Sequence, residues 1–214
     1  MTKKRSVAIG AVAFAALFPL AACGDSGGGQ ASQGTTSASP TTTSVAAEAH
    51  NQADVMFAQH MIPHHQQAIE MSDMILAKQG IDPRVVELAN QIKAAQGPEI
   101  EQMQGWLKEW GQPTMPGMPG PGGMPGMSEM PGMPGMPMAG MMSAEDMAAL
   151  QNAQGVEASK LFLTQMIEHH QGAITMALTE IDSGQSHPAI TLAQSIIAAQ
   201  QKEIDTMEGI LATL

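Results

Sequence analysis

Apolar residues recur at helical spacing from Phe57 onward. Phe57, Met61, His64, Ala68, Met71 and Ile75 follow steps of four, three, four, three and four, which puts them on one helical face. The pattern predicts a helix that begins within Ala46–Asp54 and runs to about Gln79. Pro63 falls inside it, removes one backbone hydrogen bond, and predicts a kink just before His64 and His65. Gly80-Ile81-Asp82-Pro83 reads as a stop and a restart: a C-terminal Gly, an Asp N-cap, and Pro at the first helical position. The second helix, Pro83 to Trp110, carries Leu88, Ile92, Gln96, Ile100, Met103 and Leu107 on one side. Gly97-Pro98 predicts a bend near its middle. So short a link favours an antiparallel hairpin.

The same text then returns. FAQHMIPHHQQAIEM, Phe57 to Met71, reappears as FLTQMIEHHQGAITM, Phe162 to Met176. Ser143, with Asp146 three residues on, resembles a capping box and predicts a third helix running to about Asp182. Ser183 and Gly184 close it, and Pro188 opens a fourth. LANQIKAAQ of the second helix becomes LAQSIIAAQ in the fourth, and Glu99, Ile100 and Met103 become Glu203, Ile204 and Met207. One hairpin cannot bury its own apolar face. The fold class is therefore all-α, a four-helix bundle made of two repeated hairpins, residues 46–110 and 143–214.

Composition refines this picture at three places. Aromatic residues make up only 3% and Tyr is absent, so the core must be aliphatic, Ala and Met. Ten of the twenty Met lie between Met115 and Met142, within a Met-Pro-Gly stretch (111–142) too rich in Pro and Gly for helix or strand. That stretch reads as an extended loop joining the hairpins. The N-terminus reads as an export signal over residues 1–22: Lys3, Lys4, Arg5, an apolar run from Val7 to Phe18, then Leu-Ala-Ala-Cys. That tetrapeptide resembles a lipobox, so Cys23 is the expected lipidation site of a membrane-anchored, extracytoplasmic protein. Residues 23–45, rich in Gly, Ser, Thr and Ala, form a flexible tether. A net charge of −11 excludes the basic face that a nucleic-acid partner requires.

The candidate chemistry lies in the repeat. His64 and His169 share the face of the core residues, so periodicity turns them inward. Met61 and His65 are four apart and neighbour each other on the helix, as do Met166 and His170. Adjacent residues point about a hundred degrees apart, which leaves His65 and His170 between core and surface. His60 adds an imidazole in the first copy, where the second has Gln165. Imidazole with thioether suits copper, Cu(I) above all. The candidate metal ligands are therefore His60, Met61, His64, His65, Met166, His169 and His170. Gln96, Glu99, Gln200 and Glu203 recur on the partner helices, either orienting the imidazoles, ligating directly, or forming a solvated flank. Each Met taken alone also reads as core filling. The Met-rich loop reads either as a linker or as low-affinity capture sites for Cu(I), since exposed thioethers otherwise invite oxidation.

The paired segments M-I-P-H-H-Q-Q-A-I-E-M and M-I-E-H-H-Q-G-A-I-T-M resemble the hallmark of the family catalogued as domain of unknown function 305. The resemblance covers about Ala49 to Leu214 apart from the Met-rich loop. It implies an exported, ferritin-like helical bundle, with copper binding in some members through Met and His.

Together these observations predict a membrane-anchored copper-binding protein that sequesters or transfers Cu(I) without catalysing a reaction. One alternative is a ferritin-like redox metalloenzyme. Against it, the Glu-x-x-His unit of di-iron bundles is absent, because Glu168 directly precedes His169. The other alternative is a metal-free interaction module whose His pairs hydrogen-bond internally.

Overall fold

The computed structural model describes residues 49–114 and 139–214. The export signal, Cys23, the tether and residues 115–138 of the Met-rich stretch lie outside the described residues. Among the described residues there are five helices: α1 (Gln52–Leu76), α2 (Pro83–Glu109), α3 (Ala144–Asn152), α4 (Gly155–Ser183) and α5 (His187–Leu211). The fold is all-α. Helices α1 and α2 form one hairpin and α4 and α5 the other, with α1 packed against α4.

Local chemistry explains most of the boundaries. Asn51 caps α1, accepting the Ala53 and Asp54 amides, while Asp54 reaches back to the Asn51 amide. Asp82 caps α2 with Pro83 at its first position, and α1 and α2 run on through Pro63 and Pro98. Ser186 caps α5 one residue ahead of His187.

One boundary differs from the sequence reading. The third predicted helix is two helices, α3 and α4, separated at Ala153 and Gln154. Ala153 is extended, Gln154 supplies no side-chain cap, and Gly155 enters α4 with φ +55°. A left-handed Gly at that point is a helix terminator, and the break lets α3 fold over α1 and α4. Ser143 and Asp146 form the expected capping box of α3. Ser143→Ala is expected to cost about 1 kcal/mol of stability. A denaturant midpoint that falls at unchanged slope would show it.

The core falls into two apolar clusters. One gathers Ala68, Met71 and Ile75 of α1 with Phe162, Leu163 and Met166 of α4. The other gathers Phe57, Ala58, Met61 and Ile62 of α1 with Ala173 and Ala177 of α4. Each pairs the early half of one helix with the late half of the other, so α1 and α4 run antiparallel. On both helices the His pair falls between the two clusters. The imidazoles are a polar layer across the middle of an apolar bundle.

Candidate metal centre

All four repeated histidines are fully buried. For His65 and His170 this resolves the choice between surface and core in favour of the core. The rings of His64 and His169 face each other across the α1–α4 contact with centroids 3.7 Å apart, tilted by 40°. His169 and His170 lie 6.4 Å apart, centroid to centroid. Met61 and Met166 are also fully buried, each one turn before the second His of its pair. His60 is only half-buried, one turn earlier on α1.

The hydrogen bonds assign the imidazole nitrogens. His65 Nε2 lies 2.7 Å from Glu99 Oε2, and His170 Nε2 lies 2.6 Å from Glu203 Oε2. His64 Nε2 lies 3.1 Å from the Ala139 carbonyl oxygen. A carbonyl or carboxylate oxygen can only accept, so each of these nitrogens donates its N–H. On a neutral imidazole that leaves Nδ1 with a free lone pair. Nδ1 of His64, His65 and His170 and both nitrogens of His169 are buried without a partner. Such groups are rare in native interiors, and each costs about 1–3 kcal/mol.

The two facing rings, His64 and His169, are also held neutral. Burial, then the neighbouring His65, lowers the His64 pKa to about 3, although the Ala139 carbonyl favours the charged ring. Burial, then His64, His170 and His65, holds His169 well below the usual imidazole range. Burial alone lowers His60. A neutral imidazole with an unshared pair is a metal ligand rather than a cation.

Of the remaining candidates, Glu99 and Glu203 are the hydrogen-bond partners of His65 and His170, an arrangement that fixes ring orientation. Gln96 and Gln200 are buried on α2 and α5, with Gln96 Oε1 and Nε2 and Gln200 Oε1 unpartnered. Gln165, the counterpart of His60, donates to the Asp146 carbonyl and helps dock α3. Among the described residues, no three His, Cys, Asp or Glu side chains form a preformed metal cage. The donor set is paired imidazoles flanked by thioethers, which suits a soft ion satisfied by few ligands rather than a hard cation.

Sequence reasoning missed two features. The Ala139 carbonyl is a backbone group and carries no sequence signal. Asp54 and Glu180 form a buried acidic pair where α1 begins and α4 ends. Asp54 accepts the Gln185 and Ser186 amides across that junction, and Glu180 is 1% exposed.

Residues 54–211 match the family model described as domain of unknown function (DUF305). The chain belongs to this family. A DUF305 fragment from Deinococcus radiodurans is 34% identical with a TM-score of 0.62, over 77% of this chain and 98% of its own. A candidate secreted DUF305 protein from Streptomyces coelicolor is 32% identical at TM-score 0.63, over 75% of this chain and 91% of its own. CopM in its Cu(I)-bound form is 29% identical at TM-score 0.58, over 75% of this chain and 96% of its own. CopM has also been crystallised with Cu(II) and with Ag. No curated protein matches this DUF305 chain.

Proposed function

We propose that this DUF305 protein binds Cu(I) at the centre of its bundle and sequesters or transfers it, as a carrier or store rather than a catalyst. One observation carries the reading: four buried imidazoles, with His64 and His169 ring against ring, leave five nitrogens unpartnered in a single layer of the bundle. A folded interior retains that many orphaned acceptors and donors only where something else satisfies them. Met61 and Met166 border the same layer and would add soft thioether donors. The metal-bound forms of CopM support the same reading, and the net charge of −11 would favour cation approach, less so at high salt. Cys23 would hold the protein on the outer face of the membrane, with the Met-rich segment offering weaker capture sites. His60 would stand at the edge of the centre, as an accessory ligand.

The redox-enzyme reading lacks a carboxylate-rich interior. The two carboxylates at the centre, Glu99 and Glu203, are each engaged by a His N–H, which suits an orienting role.

The test is an anaerobic Cu(I) titration against a chromophoric competitor. The intact protein is compared with a variant in which every Met of residues 115–138 is Ser. Tight binding in both supports a bundle site. Binding lost with the Met-to-Ser change would make the bundle a scaffold, and failure of the intact protein to compete would overturn the copper reading. Within the same assay, Glu99→Ala is expected to weaken binding roughly 10–100-fold by releasing the His65 ring. Glu203→Ala should do the same through His170, and the two Gln variants, which still accept the N–H, should lose less.

A further inference from the structure

Among the positions at which the two copies of the His motif differ, one lies two residues after the pair: Gln67 in the first stands where Gly172 stands in the second. Both face the same short stretch of chain. Residues 139–142, which lead back from the Met-rich segment into α3, cross between α1 and α4 beside His64. Gln67 clamps this strap with a reciprocal pair of bonds: its Nε2 donates to the Met142 carbonyl at 2.9 Å, and its Oε1 accepts the Met142 amide at 2.8 Å. On the other side the strap touches the backbone of α4. A Cβ on Gly172 would sit 2.0 Å from the Ala139 oxygen and 2.4 Å from its carbonyl carbon. Gly140, at φ +78°, is equally confined: a Cβ there would meet the Glu168 oxygen at 2.7 Å. Only glycine fits at either position.

The consequence reaches the imidazoles. With the strap seated, the Ala139 carbonyl takes the His64 Nε2–H. His169, its counterpart in the second copy, has no such partner on either nitrogen. We propose that the strap Ala139–Met142, seated by Gln67 and Gly172, is a positioning element of the metal centre that fixes the tautomer and ring orientation of His64 and so presents Nδ1 as its ligand atom. An internal duplication would give two equivalent His pairs. The strap makes them unequal, holding His64 and not His169. This rests on the copper reading above, but its first consequence is visible without metal.

The test compares the intact protein with Gly172→Ala, Gln67→Ala and a control, Gly105→Ala, whose added methyl meets nothing within 4 Å. Two readouts need no metal: imidazole nitrogen spectra, which report the His64 tautomer, and hydrogen exchange of the Met142 amide. The third is Cu(I) affinity by competition. Gly172→Ala cannot be absorbed by side-chain motion, because it collides with backbone. Both strap variants should deprotect the Met142 amide, mix the His64 tautomers and weaken Cu(I) binding roughly 10–100-fold, with the control unchanged. If Gly172→Ala fails to fold, Gln67→Ala carries the test, since it introduces no collision. Loss of Met142 protection with an unchanged His64 tautomer, or with unchanged affinity, overturns the proposal and leaves copper binding standing. If the intact protein takes up no Cu(I), the copper reading falls, and the tautomer readout alone still decides whether the strap holds His64.

Discussion

Replacing His64, His65, His169 and His170 together by Leu is expected to abolish tight Cu(I) binding and to raise the melting temperature of the metal-free protein. The two effects have one cause. In the metal-free bundle five imidazole nitrogens are buried without partners, at about 1–3 kcal/mol each. Leu is close to His in volume and brings no polar atom of its own, and replacing buried polar groups by well-packed apolar ones is often neutral or stabilising by about 1–4 kcal/mol. Glu99 and Glu203 lose their partners in the variant, but at 20% and 18% side-chain exposure both can turn to water. Metal reverses the ranking. At a free Cu(I) concentration of about 100 Kd, the intact protein gains about 2.7 kcal/mol. At about 2–4 °C per kcal/mol for a unit of this size, that is roughly 5–10 °C, whereas the Leu variant should not shift. Melting curves with and without Cu(I), under anaerobic conditions, separate the outcomes. A variant that still binds tightly moves the site elsewhere. A metal-free variant that melts well below the intact protein means the imidazoles support the fold, the behaviour of a metal-free module.

The same physics decides what was legible in the sequence. Helical period and cap chemistry are local, and the elements they specify are present: Asp82 before Pro83, the Ser143–Asp146 box, Gly184 after α4. The inward turn of His64 and His169 followed from their place in the Phe57 and Phe162 stripes. For His65 and His170 the periodicity was ambiguous, because only the packing of α2 and α5 brings Glu99 and Glu203 against them. The break at Ala153 and Gln154 had a signal, Gly155, but helical periodicity carries across so short an interruption and hid it. The strap had a subtler one, the Gln67-to-Gly172 difference between the copies. It gains meaning only once α1 and α4 are side by side. Asp54 and Glu180 were invisible, since a carboxylate early in one helix and another late in a distant one look like ordinary helix decoration until the helices pack antiparallel.

That acidic pair carries the last expectation: between about pH 7 and 8.5 the metal-free protein should lose stability, and Glu180→Gln should not. Burial, together with the neighbouring Asp54 carboxylate, pushes the Glu180 carboxyl up to about 8. Burial also acts to raise Asp54, but the Asn51 amide, the Glu180 carboxyl and the Ser186 and Gln185 amides outweigh it and hold Asp54 below its ordinary range. At neutral pH Glu180 therefore keeps its proton while Asp54 is ionised. A raised native pKa means that the folded state binds the extra proton. The Glu180 contribution is fully present below its unfolded value, about 4.5, and is lost as pH rises through about 8. The half-buried imidazole of His60 and the buried ones of His64 and His169 act in the opposite sense. Their lowered values make a contribution that is present above about 6.5 and lost as pH falls. Above pH 7 that contribution is nearly level, and the raised Glu180 carboxyl gives the slope. Gln at 180 has no proton to lose, so denaturant midpoints should stay flat across the window. Asp54→Ala removes the acceptor itself and strands the Ser186 amide, which is buried, and the Gln185 and Asn51 amides, which are partly so. A loss of about 3 kcal/mol is expected from unpaired donors. A Glu180→Gln protein that keeps the alkaline slope would assign that slope to another group and leave the pair as packing alone.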